Sequence, residues 1–235
     1  MKEMIKSITP DPLKKLWRYY LANYWYKKNS LIGLKSSNLW IQKSAKIKGW
    51  LNEGEHEFLW DLASRKEVDG NILEIGSWMG KSTCILAGAS KESHPKSKVI
   101  SIDTFWMSGP IGQQAYHNQI NKGKGTFYEF IGNAKVYGFY DTVVPIGTES
   151  GIAKDVLKCD FRMAFIDGAH DFESCLNDTK IAIPILKKKG ILVLHDYGQA
   201  EWPGVKKVVD EFLREHLQLK FVGKVGSIIA FERHE

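Results

Sequence analysis

The chain of 235 residues has few cysteines and no long apolar run. Its three cysteines, Cys84, Cys159 and Cys175, lack the spacing of a disulfide framework or of a metal-binding cluster. Such sparse cysteine is typical of a reducing compartment, so we expect a cytoplasmic location. No apolar run approaches the roughly 20 residues of a membrane-spanning helix, and the N-terminus lacks a secretory apolar segment. We therefore expect one substantial domain with an appendage.

Positive charge is concentrated at the beginning of the chain. The net charge is +6, but residues 1–50 hold eleven Lys or Arg against two acids and carry +9, which leaves −3 for residues 51–235. We therefore divide the chain into a basic, aromatic, helical N-terminal extension (1–50) and a main domain (51–235). Asp11 as N-cap and Pro12 at the first helical position predict a helix in the extension. Its apolar face would consist of Leu13, Leu16, Trp17, Tyr20, Leu21, Tyr24 and Trp25.

The apolar face of this helix needs a partner. We favour packing on its own domain or on a second subunit, which would make the protein a homo-oligomer. The alternative is a helix that lies on a membrane surface, basic on one side and aromatic on the other, in a membrane-peripheral protein. Nucleic acid is the least favoured partner, because the basic residues lie in the extension and not in the main domain.

A strand, a glycine turn and a helix follow one another in the segment NILEIGSWMGKST, which runs from Asn71 to Thr83. A helix that starts after such a turn exposes free N–H groups and forms a site for an anion. A phosphate-binding P-loop needs four residues between its first glycine and the Gly-Lys-Ser, whereas Gly76 and Gly80 enclose only three. A dinucleotide fingerprint needs a second glycine where Trp78 stands.

These departures favour S-adenosylmethionine (SAM), whose methionine end carries one carboxylate and one ammonium group. An ordinary strand-to-helix turn is the alternative, since glycine is common there. The candidate cofactor contacts in this segment are Glu74, Gly76, Ser77, Trp78, Gly80, Lys81 and Ser82.

Beyond residue 70 the chain alternates strand and helix signals, the rhythm of an α/β protein with a doubly wound parallel sheet. The predicted strands are Ile72–Ile75, Val99–Ile102, Val143–Ile146, Met163–Ile166, Ile191–Leu194, Leu219–Val222 and Ser227–Phe231. The predicted helices are Lys81–Ser90, Phe127–Val136, Glu173–Lys187 and Val205–His216. The last two strands read as a hairpin, so the sheet would end with an antiparallel strand.

Polar residues follow the predicted strands at the edge where such sheets bind ligands. Asp103 stands 27 residues after Gly76 and could accept both ribose hydroxyls of a nucleoside, with Thr104 beside it. A helix cap or turn is the alternative role for this aspartate. Thr148, after the third strand, would line the adenine pocket.

The fourth and fifth strands end in Asp-Gly-Ala-His (167–170) and in His195-Asp196-Tyr197. Two adjacent central strands would therefore bring two aspartates and two histidines to one edge. This set can ligate a divalent cation or supply a general base near neutral pH. Each residue alone could be a strand-end cap or a surface histidine, but the four together predict catalysis.

Four segments in this order, EIGSWMGKST, SIDTF, FIDGAHDFE and KKKGILVLHDY, resemble the class I SAM-dependent methyltransferases of the methyltransferase-24 kind. The chain is also similar, over residues 49–231, to macrolide-sugar and cephalosporin-biosynthesis O-methyltransferases. The resemblance implies a Rossmann-like class I methyltransferase fold, with a seven-stranded, mostly parallel sheet that binds SAM. In those relatives an aspartate after strand four and an acidic pair after strand five hold Mg²⁺, and a nearby histidine is the base. Carried over by position, Asp167 and Asp196 would be metal ligands and His170 the base, with Asp167 also near the cofactor.

His195 departs from the pattern, since the relatives have an acid at its position. Imidazole suits softer ions better than Mg²⁺. His195 could therefore be a third metal ligand beside Asp167 and Asp196, or a second catalytic base, or mark the loss of the metal. We expect a divalent metal, Mg²⁺ or Mn²⁺, in addition to SAM.

The Asp-Gly-Ala-His segment also bears on the acceptor. Enzymes that methylate amino groups of bases typically show Asp/Asn-Pro-Pro-Tyr there, so we expect an oxygen acceptor on a saccharide or a glycosylated small molecule. The N-terminal segment and residues 106–127, which include His117, would cover this substrate, although a plain surface loop is the alternative for residues 106–127. The alternatives are a nucleic-acid methyltransferase, a non-catalytic SAM-fold protein and a nucleotide-binding protein.

Overall fold

In the computed structural model of the chain, residues 38–106, 125–157 and 160–234 are described. One sheet contains the strands β1 (Asn71–Ile75), β2 (Val99–Asp103), β3 (Val143–Gly147), β4 (Phe161–Ile166), β5 (Leu186–Leu194), β6 (Leu219–Val225) and β7 (Ile228–Arg233). The helices are α1 (Leu39–Ala45), α2 (Glu55–Ala63), α3 (Lys81–Ser93), α4 (Phe127–Tyr137), α5 (Ser150–Ala153), α6 (Phe172–Ile185) and α7 (Pro203–Lys207). A 3₁₀ turn follows α5 at Lys154–Val156, and a π-helical turn follows α7 at Val208–Leu213.

The strand order is β3-β2-β1-β4-β5-β7-β6. The strands from β1 to β5 pair in parallel, whereas β7 runs antiparallel to both β5 and β6. This arrangement confirms the predicted α/β sheet with its C-terminal hairpin. The order reverses between β1 and β4, and ligands of open parallel sheets bind in the crevice at that point.

Two apolar clusters cover the two faces of the sheet. The first joins β1 to helices α1 to α4 through buried residues such as Leu59, Ile85 and Phe130. The second joins the sheet to α6 and the π-helical turn, with Ala182 and Val209 fully buried. From Met163 to Ile166 of β4, alternate residues enter one cluster or the other, as the two-residue period of a strand requires. The central strands β1 and β4 are therefore buried on both faces, and ligands reach the sheet at the carboxyl ends of its parallel strands.

The boundary between α6 and β5 differs from the prediction. Helix α6 ends at Ile185, and β5 already begins at Leu186 rather than at Ile191. The Arg233 guanidinium donates hydrogen bonds to carbonyl groups at this helix end, among them that of Ile183. Leu186 is buried and pairs with Phe161 of β4, so tertiary packing starts the strand early.

Helices α1 and α2 were not predicted. Helix α1 lies in the segment assigned to the N-terminal extension and is capped by the Asn38 side chain. It packs closely on α3, because a Cβ atom at Gly88 would lie 2.3 Å from Cγ of Trp40. The helix predicted after Asp11 lies outside the described residues, as do Cys159 and most of residues 106–127. Within the described ranges, no helix is long and apolar enough to cross a bilayer.

Candidate functional site

The glycine turn brings β1 against the end of β4. Gly76 has a φ of +89°, and a Cβ atom there would lie 2.1 Å from the backbone oxygen of Asp167. Only glycine fits this conformation and this approach. Gly80, also left-handed, then caps the N-terminus of α3. The predicted anion site and the predicted catalytic edge are therefore in direct contact through the main chain.

Asp103 ties the glycine turn to the end of β2. Its Oδ2 accepts hydrogen bonds from the backbone N–H groups of Ser77 (2.8 Å) and Trp78 (2.7 Å), and its Oδ1 accepts one from Phe105 (2.7 Å). A carboxylate oxygen can accept two hydrogen bonds, so Oδ1 keeps a lone pair for a ribose hydroxyl. The carboxylate is therefore fixed at the end of β2 beside the glycine turn, and its role in ribose binding stays a prediction.

Glu74 lies fully buried behind the turn. Its carboxylate accepts hydrogen bonds from the hydroxyls of Ser82, Thr83 and Ser101, each at 2.7 Å. Burial raises the pKa of Glu74 to about 7 despite these donors. Glu74 therefore joins β1, β2 and the first turn of α3, and its described partners are all protein hydroxyls.

Lys81 also serves the fold in this structure. Its Nζ donates to the backbone oxygens of Ser44 (3.1 Å) and Ile47 (2.9 Å), and the side chain is buried. Burial lowers the pKa of Lys81 to about 8. The side chains of the predicted cofactor contacts Lys81 and Ser82 thus have partners within the protein. Their backbone N–H groups, at the N-terminus of α3, are what a ligand could contact.

The remaining predicted cofactor contacts lie along the same edge. Thr104 follows Asp103 directly, and its hydroxyl donates to the backbone oxygen of Trp106. Thr148 follows β3, whose Gly147 pairs with Asp103. Both threonines are partly exposed. They lie on the β2–β3 side of the turn, where the sequence placed the nucleoside.

The four residues predicted at the ends of β4 and β5 converge. His170 Nε2 lies 2.7 Å from Asp196 Oδ2 and 3.7 Å from Asp167 Oδ1. His195 Nδ1 lies 3.0 Å from the same oxygen of Asp167 and 3.6 Å from Asp196 Oδ2. Asp196 has a φ of +60°, a left-handed conformation that aspartate tolerates better than most residues. Strain at a strand end is typical of functional sites.

The two histidines differ in their surroundings. His195 is nearly fully buried, and its Nε2 lies 3.3 Å from a second carboxylate, Oε2 of Glu55. Burial opposes its charge, but Asp167 and Asp196 hold the pKa of His195 well above 6.5. His170 stacks on Trp202 with a centroid distance of 4.4 Å. Burial again opposes the charge, but its two carboxylate partners raise the pKa of His170 to about 9.

The set of residues that could hold an ion differs from the expected one. One ligand atom from each of Asp167, His170 and Asp196 lies within 4.8 Å of the others. His195 was expected in this set, but both its ring nitrogens face carboxylates. Two carboxylate oxygens and an imidazole are donors that suit a divalent transition ion. The residues present therefore fit such a cation, with His170 in place of His195.

The family model described as Methyltransferase domain (Methyltransf_24) matches residues 73–197, more than half of the chain. The chain belongs to this methyltransferase family. The match spans the glycine turn, Asp103 and the ends of β4 and β5, so the SAM-dependent methyltransferase inferred from the sequence is confirmed. Its catalytic domain is built on the expected class I fold.

Solved structures with the same fold include several O-methyltransferases. NovP shares 17% identity and a TM-score of 0.64, over 77% of this chain and 79% of that one. TomG from Streptomyces achromogenes, solved with SAM, shares 15% identity and a TM-score of 0.60, over 91% and 98%. CalS11, a TDP-rhamnose 3′-O-methyltransferase, shares 15% identity and a TM-score of 0.54, over 95% of each chain. No curated protein matches the methyltransferase by sequence.

Sequence reasoning missed Glu55 and Trp202. The only local signal at Glu55 is the spacing from Asn52, because Asn-x-x-Glu is typical of a helix start. Nothing in the sequence joins Glu55 to His195, which lies 140 residues later. Trp202 stands before Pro203 at the start of α7, a position that predicts a cap and not a partner for His170.

Proposed function

We propose that this methyltransferase transfers the methyl group of SAM to a hydroxyl of a saccharide or a glycosylated small molecule, with His170 as the base. The observation that carries the proposal is the contact between the glycine turn and the end of β4, where Gly76 meets Asp167. It puts the cofactor turn beside the histidines and aspartates. CalS11, a relative in fold, acts on a nucleotide-linked sugar, and this supports a sugar as acceptor.

The reaction is a displacement at the sulfonium methyl group. The acceptor oxygen forms a bond to the methyl carbon, the carbon–sulfur bond breaks, and S-adenosylhomocysteine leaves. Since the donor is already activated, the protein mainly has to align the two reactants. Asp103 and the α3 N-terminus would hold the cofactor, and the β4–β5 edge would hold the hydroxyl.

His170 is placed to take the proton of the acceptor hydroxyl. Its Nε2 lies beside the carboxylates of Asp196 and Asp167, which favour the imidazolium and raise the pKa to about 9. Only the neutral fraction of His170 can take the proton, so turnover should increase as the pH rises toward 9. Trp202 stacks on the ring and fixes its plane. His195 is less suited to this task, because both its nitrogens already face carboxylates.

We further propose a divalent cation at this edge, with Asp167 and Asp196 as its carboxylate ligands. When bound there, it would lower the pKa of a hydroxyl beside it. Its third protein ligand would be His170 if that residue is not the base, and the two roles can be separated by experiment.

The test is a screen of sugars, nucleotide sugars and glycosides with SAM, in which S-adenosylhomocysteine release is measured with and without EDTA. We expect turnover with at least one saccharide and a loss of activity in EDTA that Mn²⁺ or Mg²⁺ restores. His170→Ala should lower turnover about 100-fold or more, as for loss of a general base, while the exposed His234→Gln serves as control.

The outcomes separate the parts of the proposal. If His170→Ala keeps full turnover, His170 is not the base. If EDTA leaves the activity unchanged, the reaction needs no divalent cation, and the proposed methyl transfer still stands. Methylation of RNA, with no saccharide accepted, would replace the proposed acceptor by nucleic acid.

A further inference from the structure

Glu55 lies outside the segment that matches the family model and meets the catalytic edge from the far side of His195. We propose that Glu55 is a positioning residue of the methyltransferase. It fixes the His195 ring and, through it, the carboxylate of Asp167. This inference rests on the proposed function, since it assigns a role to the residues behind the same site.

The Glu55 carboxylate is fully buried and surrounded by donors from the residues just before α2 and from the distant β6–β7 turn. It accepts hydrogen bonds from the backbone N–H (2.5 Å) and the side-chain amide (3.0 Å) of Asn52. It also accepts bonds from the backbone N–H (2.6 Å) and the hydroxyl (2.8 Å) of Ser227. A Cβ atom at Gly226 would lie 2.3 Å from Oε1 of Glu55, so the β6–β7 turn closes directly over the carboxylate. These contacts hold Glu55 in one place.

From this fixed carboxylate a chain of polar contacts leads to the catalytic edge. Oε2 of Glu55 lies 3.3 Å from Nε2 of His195, and Nδ1 of His195 lies 3.0 Å from Oδ1 of Asp167. Both outer groups are carboxylates, which accept hydrogen bonds and cannot donate them when ionised. The ring therefore satisfies both only with an N–H on each nitrogen. The two carboxylates together set the plane of the ring and its distance from Asp167.

The contact between Glu55 and His195 bears on the departure of His195 from the family pattern. His195 stands where the family resemblance calls for an acid, and the structure places an acid directly behind it. The Glu55 carboxylate contacts the side of the His195 ring that faces away from Asp167, so the ring lies between two acids. Without Glu55, the His195 ring would lose its contact on one side and could turn. The Asp167 carboxylate, which also lies 3.7 Å from His170, would then lose its fixed partner.

A purely structural role for Glu55 predicts a different outcome. Asn52 and Ser227 would then be its only important partners, and loss of the carboxylate would reduce stability without a specific effect on catalysis. A positioning role predicts that the turnover number falls in a variant that still folds and binds SAM. The two roles can therefore be separated by comparing stability, SAM affinity, KM and kcat.

The experiment uses the full chain with Glu55→Gln, which keeps the shape of the side chain, and the exposed Glu53→Gln as matched control. Thermal unfolding and calorimetric SAM binding are measured first. With the saccharide found in the screen, we expect Glu55→Gln to lower kcat about 10- to 100-fold, the range seen when partners behind a site residue are removed. SAM affinity and the KM of the acceptor should change by about threefold or less, and the control should match the wild type.

A double-mutant cycle with His195→Gln tests whether Glu55 acts through His195. If it does, the double variant should be no slower than the slower single variant, because the two changes break one chain of contacts. If kcat of the double variant instead falls by the product of the two single reductions, Glu55 does not act through His195. An unchanged kcat in a folded Glu55→Gln variant would overturn the proposal.

A second measurement does not depend on turnover. In ¹⁵N NMR spectra of the histidine rings, Glu55→Gln should shift the Nε2 signal of His195, whereas Glu53→Gln should leave it in place. If no saccharide is methylated, the proposed function fails while this signal still tests the contact. If Glu55→Gln does not fold, Glu55→Asp replaces it in both measurements, and an unshifted His195 signal with unchanged kcat refutes the inference.

Discussion

Replacement of Glu74 by glutamine should remove a pH dependence of stability from this methyltransferase. Burial raises the pKa of Glu74 from its ordinary value of 4.5 to about 7 in the folded protein. The folded state therefore holds the proton more tightly than the unfolded state, and the contribution of Glu74 to stability is present at low pH. It is lost as the pH rises through about 7. The two pKa values give a loss of about 2.5 kcal/mol between pH 5 and pH 8.

Glutamine can keep the hydrogen bonds of the site. Oε2 of Glu74 accepts from Thr83 and Ser101, so an amide oxygen placed there keeps both bonds. The amide nitrogen would then face the hydroxyl of Ser82, which can rotate and accept in place of donating. We therefore expect Glu74→Gln to fold at every pH tested.

The assay is urea unfolding of the wild type and of Glu74→Gln at pH 5, 6, 7 and 8. The difference between their unfolding free energies cancels the other titrating groups. It should change by about 2.5 kcal/mol in favour of the variant from pH 5 to pH 8. If the unfolding free energies of the two proteins change with pH in the same way, the pKa of Glu74 is not raised. Glu74→Ala is the contrasting variant, since it leaves three hydroxyls without their acceptor and should be less stable at every pH.

Three further substitutions test the packing around the site. Gly76→Ala should cost about 3 kcal/mol or more and abolish SAM binding in calorimetry, because its Cβ would meet the backbone oxygen of Asp167 at 2.1 Å. Gly88→Ala should cost about 2 kcal/mol in urea unfolding, since the new Cβ would lie 2.3 Å from Trp40, and Trp40→Leu in the same chain should recover part of the loss. Arg162→Leu should cost about 3 kcal/mol and leave SAM affinity unchanged, because the buried guanidinium, at the start of β4 and away from the site, donates to three acceptors in other segments. Loss of SAM binding in folded Arg162→Leu, or retention of it in Gly76→Ala, would contradict these assignments.

Much of the fold was readable from the sequence because it depends on local patterns. The apolar runs predicted all seven strands. Their alternation with helices predicted the parallel pairing of β1 to β5 that the structure confirms. The boundaries were less predictable where tertiary contacts decide them. The start of β5 at Leu186, beside the capping Arg233 of the last strand, is such a case. Helices α1 and α2 were missed because their apolar patterns are short, and both helices are stabilised by packing against α3.

At the site, the sequence placed residues on an edge but could not assign their partners. Asp103 and Asp167 follow strands whose ends meet in any parallel sheet, so their convergence was predictable. Whether His170 or His195 would join the carboxylates as a ligand depends on where each ring turns. In the structure Glu55 contacts the ring of His195 and Trp202 stacks on that of His170, and both come from other parts of the chain.

The sequence by itself determined the glycine turn, its match to SAM and the family. These rest on the spacing of glycines and on the order of motifs along the chain, which can be read without knowledge of the packing. Only the tertiary structure decided that the Lys81 side chain holds α1 and that Glu55 stands behind His195. Such contacts join segments far apart in the chain. A side chain's partner is set by the packing that brings those segments together, and the order of residues does not encode that packing locally.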